Sequence, residues 1–486
     1  MTRPTTRFTG PDLCALSARE AVRLLKRKDL SPGDVLAAAE ARIKQVEPQV
    51  NAVVIRAGAR ARQQLDSLAG FADQNTDEPG WLAGLPIAIK DLTLVSDLPA
   101  TFGSAALKDQ IATQSDPLVE RLEARGGVIA GKTNTPEFGA GGNTWNAVFG
   151  QTRNPWNTAR NAGGSSGGAA VSLATGEVWL SHGSDLAGSL RTPAALCGVV
   201  GLRPTPGRCG GGPAATAFAI EGISGPMARD TRDLALFLDA MAGYDPRQPI
   251  SLEAPSVPFQ TAIMAPDRHL RIAFAEDQNG FAPVEPEIRT VLRRAMEQVQ
   301  SAGHGVDQAC PDLPDLYRTY ITLRGVHYGS INAYLPAHVQ AAFKDTLRQN
   351  AETGRNLTTA QIYDAMRQRT VLYHIMRQFL ERYDVLAIPV IGLEAGPAEQ
   401  EYPLFVDGQP MLDYVDWLRF SFLATTTALP ALSLPAGFTR SGMPVGVQLI
   451  GPPRGEATLL HAARQIEDIL ALPAQPIDPM PARPTG

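Results

Sequence analysis

One lysine and two serines in this chain stand where a proton relay to a nucleophile could be built. Lys90 closes the apolar run Trp81–Ile89 (WLAGLPIAI), Ser165 lies in the cluster Gly163–Gly168 (GGSSGG), and Ser189 lies in Gly183–Ala194 (GSDLAGSLRTPA). An amide carbonyl yields only to an activated hydroxyl, and the one histidine close to either serine cluster is His182. A lysine can act as the base if it is neutral. Its ordinary pKa of about 10.4 must then fall toward about 7–8, which costs roughly 4 kcal/mol of desolvation and positioning. A lysine at the end of an apolar strand is placed for that depression, because burial disfavours the ammonium. The expected chemistry is acyl transfer: a neutral Lys90 takes up the proton of a serine hydroxyl as it attacks, and the proton later returns to the leaving amine. An ordinary Gly/Ser loop would explain either serine cluster alone. It does not explain two clusters together with such a lysine.

Other patterns in the same region fail on context. Gly126–Thr133 (GGVIAGKT) fits the phosphate-loop expression, but its strand, Val128–Ala130, falls inside the four spacer residues and Asn134-Thr135-Pro136 follows; that motif needs the strand first and a helix at the lysine. Gly163–Gly167 fits G-x-S-x-G, but a polar loop precedes it where a nucleophile elbow needs a strand. The seven histidines are scattered without metal-ligand spacing. Lys108 and Lys132 read as solvated or structural lysines, and Asp185 with Arg191 as a supporting salt bridge beside Ser189.

The elements that must hold these residues alternate between strand and helix. Ser17-x-x-Glu20 is a capping box for one helix, and Ser31-Pro32 starts another with Leu36, Ala39, Ile43 and Val46 on one face. Asp116-Pro117 opens a helix that ends at Gly126-Gly127. Residues 169–175 read as a small-residue helix able to pack close to a sheet, and Val178–Ser181 as a short buried strand. Strands are expected at Cys197–Leu202, Arg271–Ala275, Tyr383–Val390, Ala431–Pro435 and Val445–Ile450. Helices are expected at Glu287–Ala302, over most of 311–380, and at Glu456–Leu470. Gly207–Ala219 reads as a mobile loop near the site, and the Pro-punctuated tail 473–486 as loose. Alternation without a linker or repeat implies a single α/β domain over 1–486, with a core about 80–210 and a variable, substrate-lining region about 240–380.

Bulk properties narrow the class. In 486 residues, 44% hydrophobic and 19% charged, a sizeable core is available. A net charge of −5 argues against nucleic acid as a partner. No apolar run approaches a membrane span, and the start has no apolar h-region. Four cysteines without C-x-x-C spacing fit free thiols and a cytoplasmic enzyme.

With Ile89-Lys90-Asp91, GGSSGG at 163–168, GSDLAGSLRTPA at 183–194 and GVVGLRPTPGR at 198–208, the chain resembles the amidase signature family. The likeness extends to the opening helices (LSAREAVRLLKRKDLSPGDVL) and the closing strands (TALPALSLPAGF, GMPVGVQLIGPP), and is weak between about 240 and 380. It implies an α/β/α sandwich with a large mixed central sheet flanked by helices, and no metal or organic cofactor. It implies Ser189 as nucleophile, Ser165 as a bridging serine held through a cis peptide bond, and Lys90 as base. Ser166, Asp185 and Arg191 are supporting residues, and the backbone amides of Leu186, Ala187, Gly188 and Ser189 form the oxyanion hole. Ala187 stands where the family usually has glycine, and a positive φ there would strain an alanine. The implied reaction is hydrolysis of linear amides, aryl or alkyl, with esters and carbamates (urethanes) as further small-molecule substrates, by a monomer or homodimer. The alternative is the glutamine-hydrolysing component of a tRNA-dependent amidotransferase. A non-catalytic scaffold on the same fold would not need Lys90, Ser165 and Ser189 intact.

Overall fold

The computed structural model describes residues 5–68, 77–211 and 216–481. Eleven strands form its main sheet: β1 (Val53–Arg56), β2 (Pro86–Lys90), β3 (Val128–Thr133), β4 (Leu180–Asp185), β5 (Val200–Arg203), β6 (Ile223–Ala228), β7 (Arg271–Phe274), β8 (Gly305–Gln308), β9 (Val385–Pro389), β10 (Ala431–Phe438) and β11 (Pro444–Ile450). Their order across the sheet is β1-β3-β2-β4-β6-β5-β10-β11-β9-β7-β8. The run β3-β2-β4 is parallel, as is β9-β7-β8, and the strands between them pair antiparallel. Helices flank this mixed sheet, so the α/β architecture expected from the sequence is the one observed.

Central strands covered on both faces are apolar throughout rather than alternating. Every residue of β2, β3, β9 and β11 is buried. The helix Gly167–Ala174 lies on this sheet with all eight residues buried, and its composition is dictated by proximity. A Cβ on Gly168 would come within 2.4 Å of the Asn134 nitrogen and 2.6 Å of the Ala52 carbonyl oxygen. The first long helix runs Pro32–Val50, with Ser31 accepting from the Asp34 N–H and Asn51 left-handed beyond its end. At Ser17 the cap is one-sided: Ser17 accepts from the Glu20 N–H, while the Glu20 carboxylate turns to Arg23.

Boundaries moved where tertiary pairing prevailed over local pattern. β4 starts two residues later than the apolar run and continues through polar His182–Asp185, because β6 pairs with it along its whole length. β3 extends through Lys132 for the same reason, paired with β1 and β2. The helix Arg191–Cys197 is not announced by any periodicity; it is buried on all sides and stops at left-handed Gly198.

The tail is the main correction. Rather than being loose, residues 477–480 are docked: Ile477 N–H donates to the Ala174 carbonyl, Asp478 N–H to Arg7, and Met480 N–H to Pro155. Ile477 is buried, and fully buried Arg42 donates to the Ile477 carbonyl and pairs with Asp478 at 2.9 Å. Residues 482–486, and 212–215 of the loop expected to be mobile, lie outside the described residues.

Candidate active site

Parallel strands β2 and β4 are sheet neighbours and end side by side, which brings together residues far apart in sequence. β2 ends in Lys90, and β4 ends in Ser184 and Asp185. The carboxyl ends of parallel strands are where open α/β sheets place ligands, because the chain leaves the sheet there. The GGSSGG turn arrives over this edge at the start of the helix Gly167–Ala174, and the Gly164–Ser165 peptide is cis.

Lys90 is fully buried, and its Nζ lies 2.6 Å from Ser165 Oγ, 2.9 Å from Ser166 Oγ and 3.1 Å from Ser184 Oγ. Burial pulls its pKa from 10.5 down to about 7, against the smaller opposing pull of Asp185. The Asp185 charge is itself committed to other partners. The carboxylate takes Arg191 Nε at 3.0 Å and Nη2 at 2.8 Å, Arg203 Nη1 at 3.4 Å, and the backbone N–H groups of Gly188 and Leu190 at 3.1 Å each. Against the cost of its burial, these guanidiniums hold the Asp185 carboxyl well below the usual carboxylate range. Asp185 therefore fixes the loop that carries Ser189 and leaves the lysine free to lose its proton.

Ser166 ties the lysine to β4: its hydroxyl donates to the Ser184 carbonyl at 3.2 Å and accepts from the Ser184 N–H. The Ser166 N–H donates to the Ser189 carbonyl at 3.2 Å, so the two serine clusters are joined through backbone. Ser189 is 7% and Ser165 2% exposed, and the Ser189 hydroxyl has no hydrogen-bond partner among the described residues. His182 is a neighbour but not a base. Burial and the lysine charge push it down to about 3, and its Nδ1 faces the Lys90 backbone N–H at 3.4 Å.

The strain expected at Ala187 is absent. Ala187 is not among the positive-φ residues; that role falls to Gly188, at φ 85°. Lys132 is structural, as expected: it forms a buried ion pair with Asp91 and donates to the Pro99 carbonyl at 2.6 Å. Its place inside β3 also disposes of the phosphate-loop pattern. Among the described residues no group of histidines, cysteines or carboxylates is arranged to hold a metal ion, and no helix is long and apolar enough to cross a membrane.

Sequence reasoning missed several supports. Ser184 was hidden inside the GSD triplet, although it sits one residue from Asp185 at a strand end. Arg203 donates to the Asp185 carbonyl at 2.6 Å and to the carbonyls of Glu221 and Ile220, tying the Ser189 loop to the next loop. Gln448 and Ser421 receive Arg191, and Thr425 Oγ1 donates to the Leu186 carbonyl at 2.8 Å. No local signal marks Gln448, Ser421 or Thr425, since they come from more than 200 positions downstream.

What this strand edge can do chemically is activate a serine hydroxyl with a neutral lysine, which is what attack on an acyl carbon requires. The chain belongs to the amidase family, whose model matches residues 34–460. It is 34% identical over 478 residues to an acylamidase of Rhodococcus erythropolis, covering 95% of this chain and 97% of that protein. It is also 34% identical over 482 residues to the A component of the glutamyl-tRNA(Gln) amidotransferase of Moorella thermoacetica, covering 94% and 97%. Among solved structures, a bacterial aryl acylamidase of the amidase signature enzymes superimposes with a TM-score of 0.87 at 28% identity, covering 94% of this chain and 97% of that one. The chain is accordingly a hydrolase of carbon–nitrogen bonds in amides.

Proposed function

We propose that the chain is a free-standing amidase that cleaves linear carboxylic amides through an acyl-enzyme on Ser189. The observation that carries this reading is the contact between buried Lys90 Nζ and Ser165 Oγ at 2.6 Å, with the lysine pKa brought to about 7. A neutral amine has two N–H bonds and one lone pair. Ser166 and Ser184 accept the two N–H bonds, which turns the lone pair toward the Ser165 hydroxyl. Ser165 then passes its proton to Lys90 as it takes that of Ser189, and Ser189 Oγ attacks the carbonyl carbon. The tetrahedral oxyanion is received by backbone N–H groups. Because the Gly188 N–H donates to Asp185, the donors of this hole are Leu186, Ala187 and Ser189. Collapse breaks the C–N bond, and Lys90 returns a proton through Ser165 to the departing amine. Water then repeats the sequence on the ester.

Aryl amides are the favoured substrates, from the likeness to the aryl acylamidase. Esters and carbamates present the same tetrahedral geometry with better leaving groups, so they follow as secondary substrates. The second reading, a glutamine-hydrolysing component of an amidotransferase, rests on a relative as similar as the acylamidase. Assay of the purified chain alone on 4-nitroacetanilide and on glutamine separates the two. A fluorophosphonate should label Ser189 and fail to label Ser189→Ala. An acyl group trapped on Ser165 instead would overturn the role assignment.

A further inference from the structure

Behind the proposed oxyanion turn lies a buried positive charge with no acid beside it. Arg324 is 4% exposed, and no carboxylate among the described residues forms an ion pair with it. Its guanidinium donates instead to neutral oxygens: Asn350 Oδ1 at 3.0 Å, the Tyr320 hydroxyl at 3.3 Å and the Tyr414 hydroxyl at 2.6 Å. It also lies over the Tyr328 ring at 4.7 Å and the Tyr414 ring at 5.5 Å. A guanidinium stays charged in a protein, and burying it without an anion is costly. Such an arrangement needs a reason beyond packing.

The reason lies along one face of the helix Leu316–Tyr334. Tyr320 precedes Arg324 by one turn, is buried, and stacks on Phe422 at 3.7 Å with its ring plane tilted by 13°. Its hydroxyl donates to the Leu186 carbonyl at 3.4 Å. The same carbonyl takes Thr425 Oγ1 at 2.8 Å, from the helix Phe422–Thr427. Because Arg324 donates to the phenol oxygen, the hydroxyl proton is directed away from it, toward Leu186. Burial pushes the Tyr320 pKa up to about 12, so that proton is retained. The Leu186 carbonyl belongs to the same peptide group as the Ala187 N–H. Polarising one end of an amide strengthens donation at the other, as in any hydrogen-bonded chain.

We propose that Tyr320, driven by Arg324 and seconded by Thr425, is a positioning residue that orients and polarises the Leu186–Ala187 peptide so that the Ala187 N–H is the strongest oxyanion donor. This rests on the acyl-enzyme reading above. It explains why an alanine is tolerated at position 187: the peptide plane is held from its carbonyl side, and the left-handed residue is the next one, Gly188.

The test uses two probes of the charged tetrahedral state, fluorophosphonate labelling of Ser189 and phenylboronic acid binding, on the intact chain. Tyr320→Phe removes one oxygen and keeps the ring stack. It should slow the limiting labelling rate about tenfold and weaken boronate binding by the same factor, with the half-saturating probe concentration unchanged. That is short of the ~10²–10³ for losing a direct oxyanion donor. Thr425→Val should act in the same direction. Arg324→Lys should recover more than Arg324→Met, and if neither arginine variant folds, Tyr320→Phe decides alone. Unchanged rates and boronate affinity in Tyr320→Phe, or a change confined to half-saturation, overturns the proposal. Wild-type protein that is not labelled on Ser189 overturns the acyl-enzyme reading instead.

Discussion

Replacing Lys90 by methionine should abolish turnover and change the stability of the fold by an amount that depends on pH. The side chain is fully buried, with a pKa of about 7 in the folded chain against 10.5 ordinarily. Between those values the unfolded chain binds more protons than the folded one, so wild-type stability rises with pH across this window and is lowest below it. At about 1.4 kcal/mol per tenfold in equilibrium, burying this amine costs the wild type about 2 kcal/mol at pH 9, about 3 at pH 8 and nearly 5 at pH 6. Methionine carries no such cost. It does strand the hydroxyls of Ser165, Ser166 and Ser184, at about 1–3 kcal/mol each, but that penalty does not vary with pH. The readout is therefore the pH slope of the difference, about 3 kcal/mol between pH 9 and pH 6. With an unfolding entropy of ~2.1 cal/mol/K per residue over 486 residues, this is about 3 °C in melting temperature. Scanning calorimetry of wild type and Lys90→Met at pH 6, 7, 8 and 9 measures it. Parallel melting curves at all four pH values would show that the lysine is not depressed, and the relay would lose its base. The same titration should appear in wild-type kcat/KM as a rising limb near pH 7.

Lys90→Ala should impair alkyl amides more than activated esters, since the proposed relay also has the lysine protonate the departing amine; equal losses in steady-state assays would contradict that double role. Asp185→Asn removes the anion between Arg191 and Arg203 and should destabilise the fold by about 3–5 kcal/mol, readable in urea unfolding. Its labelling by fluorophosphonate should fall with it, because the asparagine keeps one acceptor oxygen and can anchor only one of the Gly188 and Leu190 amides. Deleting residues 477–486 should lower the melting temperature by several degrees, because Ile477 is buried and Arg42 loses Asp478; an unchanged melting curve would mean that the docked tail contributes nothing.

Legibility followed locality. Ser31-Pro32, Asp116-Pro117 and the apolar face of Ile288, Val291, Leu292, Ala295 and Val299 are signals written within a few residues, and those helices form as read. The positions of Lys90, Ser165 and Asp185 were legible because glycine clusters and a strand-end lysine are unusual company. What escaped is long-range. β4 continues through SHGSD only because β6 pairs with it. The tail reads as loose from its prolines, yet proline does not prevent docking when flanking N–H groups find carbonyls on Ala174, Arg7 and Pro155. Arg203, Ser421, Thr425 and Gln448 could not be found because their partners are fixed by sheet order rather than by spacing.

That sheet order has a consequence for biosynthesis. β10 and β11, near the end of the chain, are inserted between β5 and β9 in the middle of the sheet. The Ser189 turn leans on this late sequence, through Thr425 on Leu186 and Gln448 on Arg191. At ~5–20 residues per second, about 13–50 s separate the synthesis of Arg191 from that of Gln448, 257 residues later. During that interval the nascent chain carries Lys90, Ser165 and Ser189 without the frame that aligns them. Hydrolytic competence is therefore a property of the finished polypeptide, and its appearance in a translation time course would report the closing of the sheet.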